Sequence, residues 1–504
     1  MSGSVHIELQ PLGTALTVER GTPLQDVLFA QGVEFPCGGR GRCKGCRVKV
    51  LEGSLPVTDE DQRLLTSVEL AAGWRLACRA EAHADLRLEL AQWDAAILAD
   101  NSAFAFTPQE GLGVAVDLGT TTLVAQLLDL RTGHVLAVRT ALNAQAQHGA
   151  DIMSRVDFAV SGGGQSRLTQ IIRRQIGGLI GHLLQASGRR GEELQNVVVV
   201  GNTVMHHLFC GVSVEPLSHH PFEPSQDGLM IFRAEELGWR LGTPAVRFLP
   251  CLGAFVGSDI LAGILATHLH HSDGLIGLVD LGTNGEIVIG NRERMLCAST
   301  AAGPAFEGAR ISMGMRAATG AISEVTVREG QLHCHVLGHG TPRGLCGSGL
   351  VDAVAAGLEL GRINPTGKLA DGKPLLLCAP VELTQGDVRE LQLAKGAIAA
   401  GIRLLVEQWG ASLDDIAKLY LAGAFGNYIN RASAKRIGLL PFGPEKVVPA
   451  GNTALLGAKL ALFSMDEGGA DYTELRGSIQ HVSLNEDPRF HEVYVGEMGF
   501  NRSQ

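Results

Sequence analysis

Four cysteines near the amino end of the chain have the spacing of metal ligands. Five residues separate Cys37 from Cys43, two separate Cys43 from Cys46, and thirty-one separate Cys46 from Cys78. Zinc sites normally pair their cysteines two and two, whereas plant-type two-iron clusters take three ligands close together and one remote. Four glycines between Cys37 and Cys46 allow the tight backbone path of a cluster loop. The spacing therefore favours a 2Fe-2S cluster on these four thiols over zinc or unrelated buried thiols.

The sequence Val-Asp-Leu-Gly-Thr occurs at residues 116–120 and again at 279–283. Glycine lets backbone amides approach phosphate oxygens, threonine adds hydroxyl donors, and aspartate at a strand end holds Mg²⁺ through water. A single turn of this kind often only joins two strands, but an exact repeat favours two phosphate loops that clamp ATP. Neither copy has the form of a Walker loop or a dinucleotide fingerprint. The candidate cofactor-binding residues are Asp117, Gly119, Thr120, Thr121 and Thr122, and Gly282, Thr283, Asn284 and Gly285.

The surrounding residues have the periodicity of elements that would position these sites. Alternation of apolar and polar residues over 5–9 predicts a strand, and each copy of the repeat predicts a strand, a turn and a second strand. Residues 22–25 have the form of a capping box, so we expect a helix with Pro23 as its first residue. Apolar residues over 168–184 recur at three- and four-residue intervals, which predicts a long helix. A further helix, capped by Asp387, is expected to run through Glu407.

Composition excludes several classes of function. The chain has 504 residues, of which 45% are apolar, and this length suffices for about three domains with buried cores. The net charge of −10, with 19% charged residues, predicts no nucleic-acid partner. Because the start lacks a signal-peptide pattern and no apolar stretch is long enough to span a bilayer, we expect a cytoplasmic protein without membrane association. In a reducing compartment the ten cysteines are thiols or metal ligands.

The loop PCGGRGRCKGC, residues 36–46, resembles that of the adrenodoxin and putidaredoxin branch of the ferredoxins. The resemblance implies a β-grasp 2Fe-2S ferredoxin domain. Basic residues around the ligands would give the cluster a positive rim suited to an acidic docking partner, and solvated loop charges are an equally good interpretation. These basic residues are Arg40, Arg42, Lys44, Arg47 and Lys49.

The pair of loops, together with LYLAGAFG at residues 419–426, resembles the superfamily of acetate and sugar kinases, heat-shock cognate proteins and actin. This resemblance implies a two-lobed, actin-like and ribonuclease H-like α/β ATPase domain. It also implies that Gly423, Ala424 and Gly426 pack on adenosine. Two helices would connect the lobes, one from Ser258 through Leu269 and one over 454–460.

A ferredoxin domain fused to such an ATPase resembles the reductive activators of corrinoid proteins. The resemblance also rests on AGPAFEG at 302–308, LCGSGL at 345–350 and Gly-Asn-Thr at 201–203, and it covers nearly the whole chain. It implies ATP-dependent passage of one electron from a 2Fe-2S cluster to inactive Co(II) corrinoid, which restores Co(I) for methyl transfer. The implied partners are a corrinoid protein of a methyltransferase system and an upstream electron donor, and a homodimer is left open.

The same resemblance gives roles to individual residues. Asp117 and Asp280 would hold Mg²⁺ through water, and either Asp280 or Asp259 would position the attacking water. Glu307 is the other carboxylate that would act in the cleft, with a helix-start charge as the alternative. Gly303 belongs to the same motif and is expected to contact the nucleotide.

The expected organisation is an α+β multidomain chain. Residues 1–92 form the ferredoxin-like domain, 93–111 a linker, and 112–465 the two-lobed ATPase domain, followed by a C-terminal extension over 466–504 that packs on it. Two other functions stay open. One is a small-molecule kinase with a fused redox-sensing domain, and the other is an electron carrier or docking protein that does not hydrolyse ATP.

Overall fold

The computed structural model describes residues 3–10, 14–29, 31, 33, 41, 44, 46–90, 106–149, 151–282, 284–308, 310–315, 317, 320–337, 341–464 and 472–500. Cys37, Cys43 and Thr283, which the sequence assigns to cofactor binding, lie outside the described residues, as do residues 93–105 of the expected linker. In the part of the chain that the structure describes, no helix is both long enough and apolar enough to cross a membrane.

The amino-terminal unit is a five-stranded mixed sheet with the order β2-β1-β7-β4-β5. Val5, Ile7 and Leu9 are buried at 3%, 0% and 0% exposure on one face of β1, as their alternation predicts. β1 pairs antiparallel with β2 and parallel with β7, which gives the β-grasp arrangement. The elements are β1 Ser4–Gln10, β2 Thr14–Glu19, β3 Thr22–Pro23, α1 Leu24–Phe29, β4 Arg47–Glu52, α2 Asp59–Leu64, α3 Ser67–Ala71, β5 Trp74–Leu76, β6 Glu81–Ala82 and β7 Leu86–Leu90.

The expected helix start at Pro23 is wrong by one residue. Thr22 and Pro23 form the short strand β3, which pairs with β6, and α1 begins at Leu24. The backbone amide of Leu24 donates to the carbonyl of Ala80 at 2.9 Å. Proline suits either place, because its fixed φ fits both a helix start and an edge strand, and the partner strand decides between them.

Two six-stranded sheets form the lobes of the larger unit. The first lobe has the strand order β10-β9-β8-β11-β13-β12. In it the helix expected over 168–184 runs from Gln165 to Ala186 and buries the predicted apolar face. Its elements are β8 Leu112–Leu118, β9 Thr122–Asp129, β10 Val135–Leu142, α4 Ile152–Ser161, α5 Gln165–Ala186, β11 Leu194–Val200, α6 Thr203–Cys210, β12 Met230–Arg233, β13 Ala245–Phe248 and α7 Ser258–Thr267.

The second lobe has the strand order β23-β22-β14-β15-β16-β24. Its long helix begins after Thr384, whose side chain accepts from the amide of Asp387, so Thr384 rather than Asp387 is the cap. The elements are β14 Ile276–Leu281, β15 Gly285–Gly290, β16 Met295–Thr300, β17 Ala321–Arg328, β18 Gln331–Val336, β19 Gly344–Leu345, α8 Gly347–Glu359, β20 Leu375–Cys378, β21 Val381–Leu383, α9 Gln385–Trp409, β22 Lys418–Ala422, α10 Gly423–Tyr428, α11 Arg431–Arg436, β23 Val447–Gly451, α12 Thr453–Phe463, α13 Thr473–Gly477, β24 Ile479–His481 and α14 Phe490–Glu497.

The repeated sequence occupies the same place in each sheet. β8 forms a hairpin with β9 and pairs parallel with β11, and β14 forms a hairpin with β15 and pairs parallel with β22. Each copy therefore supplies a central strand, its turn and the start of the neighbouring strand. The arrangement confirms the two-lobed α/β fold that the resemblance to the superfamily of sugar kinases and actin implies.

Helices α7 and α12, the interlobe helices, cross at a point where no side chain fits. α7 leads from the first lobe into β14, and α12 follows β23 and packs back on the first lobe. A Cβ on Gly457 of α12 would lie 2.0 Å from the carbonyl oxygen of Ala262 on α7. α7 ends at Thr267, two residues earlier than expected, because His268 takes a left-handed conformation with φ of 52°.

The carboxyl-terminal segment packs on the second lobe. β24 pairs with β16, and Arg403 of α9 contacts Glu497 of α14 at 2.7 Å. Lys395 is fully buried and donates to the carbonyl of Gly499 at 2.6 Å. These contacts make residues 472–500 an integral layer of this lobe.

Candidate functional site

The pairing of β4 with β5 brings two of the four predicted cluster ligands to one end of the first sheet. Cys46 directly precedes β4, and Cys78 lies in the turn of 3-10 helix that follows β5. Arg47 pairs with Leu76, and the carbonyl of Cys46 accepts from the amide of Ala77 at 3.1 Å. Both thiols are buried, at 1% and 7% exposure. This placement fits a buried iron-sulfur cluster, and the other two ligands, Cys37 and Cys43, lie outside the described residues.

Helix α2 braces this end of the sheet. Asp61 is 1% exposed and accepts from the amide of Leu76, two residues before Cys78, at 2.7 Å. Arg63 of the same helix donates to the carbonyl of Gly41 in the glycine-rich loop at 3.1 Å. One short helix thus holds both the strand before Cys78 and the loop between the other ligands.

The basic rim expected around the ligands is partly neutralised. Lys44 and Arg47 contact Glu69 at 3.0 and 2.7 Å. The pKa of Glu69 is lowered to about 2, first by the backbone amide of Thr66 and further by its hydrogen bonds to Lys44 and Arg47. Because one acidic side chain balances part of this charge, the positive surface is weaker than the sequence implies. Arg40 and Arg42 lie outside the described residues.

The first phosphate loop is a tight turn between β8 and β9. The amide of Gly119 donates to the carbonyl of Thr122 at 3.1 Å, and this bond closes the turn. Thr120 and Thr121 are half-buried at its tip, while Thr122 is exposed at the start of β9. The loop presents hydroxyl groups and backbone amides beside Asp117 at the end of β8.

The second phosphate loop also joins two strands of a hairpin, β14 and β15, but its closing hydrogen bond spans one residue fewer. The amide of Gly282 donates to the carbonyl of Asn284 at 3.0 Å. Asn284 is half-buried, and Gly285 is buried opposite Leu281 in the ladder. Thr283, at the tip of this turn, is outside the described residues.

Four carboxylates from four elements form what we call the acidic cluster. Asp117 and Asp280 are each the last residue but one of their strands, β8 and β14, and Asp259 stands in the first turn of α7. The fourth, Glu286 on β15, pairs directly across from Asp280. All four side chains are half-buried. The structure thus brings together the three aspartates that the sequence singles out and adds a glutamate.

Burial, followed in three cases by the charge of other members of the cluster, raises the pKa of all four carboxylates. Burial raises the pKa of Asp117 to about 6. Burial, and then the charge of Asp117, raises the pKa of Asp280 to about 7. The pKa of Asp259 rises to about 7 from burial and then from Asp280 and Asp117. The pKa of Glu286 is raised well above its usual value by burial and then by Asp259 and Asp280. A divalent cation among these groups would relieve their mutual repulsion.

The expected ligation of Mg²⁺ through water does not require protein oxygens close enough to hold the ion directly. Among the described residues, no three histidine, cysteine, aspartate or glutamate side chains are grouped closely enough to hold one metal ion directly. Mg²⁺ usually keeps several of its waters and touches few protein oxygens. Carboxylates facing a shared space are therefore a suitable arrangement for a hydrated Mg²⁺ carrying phosphates.

The third motif adjoins the acidic cluster. Gly423 has φ of 81°, and a Cβ there would lie 2.6 Å from Oδ1 of Asp280, so only glycine fits. The rings of Phe425 and Phe306 stack with centroids 4.7 Å apart. This contact joins the LAGAFG and GPAFEG motifs, which are far apart in sequence. The side chain of Ala424 is outside the described residues, and Gly426 packs on Leu421.

Glu307 ends a short 3-10 helix over Pro304–Glu307. The same turn carries Phe306 and follows Gly303, which has φ of 78° and open space where a Cβ would stand. Gly303 thus leaves room for a ligand beside the third motif, and Glu307 stands at the edge of that region.

Several polar residues at the first loop were missed by sequence reasoning. Arg155 is fully buried and donates to the carbonyls of Thr120 and Gly149 at 2.6 and 2.9 Å. Asn452 donates to Oδ2 of Asp117 at 2.8 Å. The sequence did contain a usable signal for two missed residues, Asn452 and Glu286. The tripeptide Gly-Asn-Thr that contains Asn202 recurs around Asn452, each time after a strand. Glu286 was also predictable, since it and Asp280 are equally distant from the turn centre.

Other polar residues prove to be core residues. His206 and His207 are fully buried on α6, and burial together with the neighbouring His207 lowers the pKa of His206 to about 3. Cys297 is buried, and burial raises its pKa to about 12. These groups are neutral at physiological pH and take no part in the site.

Comparison with known families covers the chain in three parts. Residues 7–83 match the 2Fe-2S iron-sulfur cluster binding domain. Residues 112–272 match the RACo middle region, and residues 275–504 match the C-terminal domain of RACo, the ASKHA domain. These matches agree with the expected fold class and with 2Fe-2S, ATP and Mg²⁺ as cofactors.

Individual relatives extend over most of the chain. It is 34% identical over 413 residues to the corrinoid activation enzyme RamQ of Eubacterium limosum, covering 76% of this chain and 69% of the relative. It is 28% identical to the [Co(II) methylated amine-specific corrinoid protein] reductase of Methanosarcina barkeri, with 77% of each chain covered. A solved reductive activator for corrinoid,iron-sulfur protein superposes with a TM-score of 0.68 and 26% identity over 98% of both chains. The chain therefore belongs to the family of reductive activators of corrinoid proteins.

Proposed function

We propose that the protein uses ATP to drive the one-electron reduction of Co(II) corrinoid on a partner protein to Co(I). The observation that carries this proposal is the meeting of both phosphate loops and the acidic cluster at the junction of two lobes, in a chain that also holds a ferredoxin unit. The relatives that match most of its length are a corrinoid activation enzyme and a corrinoid protein reductase. A partner bearing a corrinoid is the substrate class that these similarities support.

The ferredoxin unit is the proposed electron store. Cys37, Cys43, Cys46 and Cys78 would hold the 2Fe-2S cluster, which supplies a one-electron carrier with a potential of about −400 mV. The burial of Cys46 and Cys78 keeps water from these ligands. An upstream electron donor reduces the cluster. The cluster then passes this electron to the corrinoid of the partner and reduces its cobalt from Co(II) to Co(I). The proposed partner is a corrinoid protein of a methyltransferase system. The proposed location is the cytoplasm, where cysteine thiols stay reduced.

The interlobe cleft is the proposed nucleotide site. Asp117 and Asp280 would hold Mg²⁺ through water, and Asp280 or Asp259 would position the attacking water. Hydroxyls, side-chain amides and backbone amides of the two loops would bind phosphates, and the glycine-lined third motif, where a Cβ on Gly423 would clash with Asp280, would take adenosine. Glu307 and Gly303 border this region. The proposed phosphate and adenosine contacts are Gly119, Thr120, Thr121, Thr122, Gly282, Thr283, Asn284, Gly285, Gly423, Ala424 and Gly426.

ATP is needed because the electron moves to a more reducing couple. For one electron, a tenfold change in the equilibrium constant corresponds to about 59 mV. A closure of the lobes that favours the reduced complex by about 3 kcal/mol therefore shifts the effective potential by about 130 mV. Hydrolysis of the nucleotide then reopens the cleft and returns the protein to its starting state.

An anaerobic absorption assay tests this proposal. The reduced protein, a Co(II) corrinoid protein and Mg-ATP are mixed, and the Co(I) band is followed, with ATP omitted as the control. Reduction that is equally complete without ATP would contradict the proposal. ATP turnover that depends on the corrinoid protein excludes the kinase alternative, and full reduction by Asp280→Ala would support the electron carrier that does not hydrolyse ATP.

A further inference from the structure

Three asparagine side chains hydrogen-bond to the first phosphate loop or to Asp117 beside it. Each of them also caps the start of a helix. Asn143 accepts from the amide of Gln145 at 3.0 Å and donates to the carbonyl of Gly119 at 3.0 Å. Asn202 accepts from the amide of Met205 at 3.0 Å and donates to the hydroxyl of Thr120 at 2.9 Å. In each case Oδ1 caps the start of a helix while the amide nitrogen fixes one atom of the loop.

The third asparagine comes from the other lobe. Asn452 follows β23 of the second sheet, and its Oδ1 accepts from the amide of Leu455 at 2.8 Å in the first turn of α12. Its Nδ2 donates to Oδ2 of Asp117 at 2.8 Å, between residues 335 positions apart in sequence. Asn143 and Asn202 bind the loop to its own lobe, whereas Asn452 binds it to the start of an interlobe helix.

The position of α12 gives this contact a consequence for the whole cleft. α12 crosses α7 so closely that Gly457 and Ala262 meet without a side chain between them, and Leu462 packs near Gly113 of β8. Two closely packed helices move together, because no flexible side chains lie between them to take up a shift of one helix. A change at the cap of α12 is therefore passed along the helix to the crossing.

We propose that Asn452 is a positioning residue that transmits nucleotide occupancy of the first phosphate loop to the interlobe helix α12. The proposal rests on the proposed function, in which Asp117 faces the Mg²⁺ of the bound nucleotide. A carboxylate oriented by its cation offers Asn452 a fixed acceptor, and the amide then fixes the helix start. The hydrogen bond from Asn452 to Asp117 is already formed at 2.8 Å, and a cation bound at Asp117 would strengthen this existing contact. Hydrogen bonds to charged groups are strong enough to bias such an equilibrium.

Helix capping alone would explain Asn452 without any transmission, and a matched pair of variants separates the two roles. Serine caps helices as well as asparagine does but is too short to reach Asp117, so Asn452→Ser keeps the cap and removes the amide. Asn430 is also an asparagine cap, accepting from the amides of Ala432 and Ser433 at the start of α11. Asn430→Ser is therefore the control for the loss of an asparagine at a helix start.

The test measures amide hydrogen exchange over residues 453–463 in the full-length, cluster-loaded protein, with and without Mg²⁺ and a non-hydrolysable ATP analogue. Calorimetry measures the affinity for the same ligand. In the wild type and in Asn430→Ser, we expect the ligand to slow exchange in α12 by about tenfold. In Asn452→Ser we expect affinity within about threefold of wild type, but most of the slowing lost and kcat for Co(II) reduction about tenfold lower.

Each other outcome has a defined meaning. Slowing of exchange in Asn452→Ser equal to that of the wild type would overturn the proposal. Loss of slowing in both variants would also overturn it, because the effect would then belong to helix capping. Nucleotide binding without any slowing in the wild type would overturn the transmission but leave the proposed function standing. Absence of nucleotide binding by the wild type would overturn both.

Discussion

In the acidic cluster, the same carboxylate charges that would bind a cation lower the stability of the fold. Asp280 gains nothing from ionisation in the Mg-free protein, since burial and the charge of Asp117 raise its pKa to about 7. Glu286 across the hairpin adds a further negative charge when it ionises. Residues arranged for a bound cation commonly destabilise the empty site, and their removal then stabilises the fold.

We expect Asp280→Asn to stabilise the Mg-free protein while it lowers Mg-ATP turnover at least about 100-fold. Removing one repelling charge at pH 8 should raise the free energy of unfolding by about 1–3 kcal/mol, seen as a higher thermal midpoint. The control is Asp273→Asn, at an exposed carboxylate that pairs with Arg292 at 2.7 Å. It should change stability by less than about 0.5 kcal/mol. A lower midpoint for Asp280→Asn would refute the assigned repulsion.

The acidic cluster also predicts a pH dependence of stability. The pKa values of Asp259 and Asp280 are about 7 in the folded protein, against about 4 for an unfolded chain. Their stabilising contribution is therefore complete below pH 4 and is lost as the pH rises through about 7. We expect added Mg²⁺ to raise the thermal midpoint more at pH 8 than at pH 5.5, and Asp280→Asn to reduce this difference. Equal Mg²⁺ shifts at both pH values would contradict the prediction.

Sequence analysis predicted the site residues that local motifs mark, but it did not predict residues whose partners lie far away in the sequence. Asp117, Asp259 and Asp280 were predicted as site residues because motifs and a helix start mark them locally. The repeated Gly-Asn-Thr marks Asn452 in the sequence, but its partner Asp117 could not be predicted, because their contact forms only when the two lobes come together. Arg155 was missed for a similar reason, since a buried arginine bonded to loop carbonyls leaves no periodic trace. Residue type and spacing therefore identified the chemistry but not the residues that hold it in place.

At the scale of elements, local patterns predicted strands and helices better than their ends. The strand at Val5 to Leu9 and the helix at Gln165–Ala186 follow from hydrophobic periodicity. The ends depend on tertiary partners, as with Pro23, which pairs with Glu81 in a strand rather than starting a helix. The early end of α7 at His268 likewise has no signal in the sequence. The close approach of the interlobe helices was also beyond prediction from periodicity, because either lobe alone would tolerate a larger residue.

The crossing of α7 and α12 gives a sharp test of that approach. Gly457→Ala improves helix propensity by about 1 kcal/mol but places a methyl group 2.0 Å from the carbonyl oxygen of Ala262. We expect the clash to outweigh the gain in helix propensity and to lower the free energy of unfolding by about 2–4 kcal/mol. ATP-driven reduction of Co(II) should be lost as well. Gly178→Ala is the control, because Gly178 lies inside α5 with no atom within 4 Å of an added Cβ. It should stabilise the protein by about 0.5–1 kcal/mol. Gain of stability in both variants would show that the crossing is looser than described.

At the scale of the whole molecule, the two kinds of chemistry occupy different sheets. Cys46 and Cys78 flank strands β4 and β5 of the five-stranded sheet, whereas the acidic cluster is assembled from the two six-stranded sheets and α7. No element carries residues of both sites among those that the structure describes. Electron storage and nucleotide handling should therefore be separable by mutation, although reduction of the partner needs both.

Cys78→Ser should abolish the two-iron absorption of the reconstituted protein and the reduction of Co(II), because one ligand of four is lost. It should leave nucleotide binding by calorimetry within about twofold of wild type, since Cys78 shares no element with the phosphate loops. Asp280→Asn should show the opposite pattern, with normal absorption and impaired turnover. The control is Cys334→Ser, at a half-buried thiol on β18 outside the ligand spacing, which should keep both properties. Normal two-iron absorption in Cys78→Ser would remove this residue from the ligand set, and loss of nucleotide binding there would show that the sites depend on one another for folding.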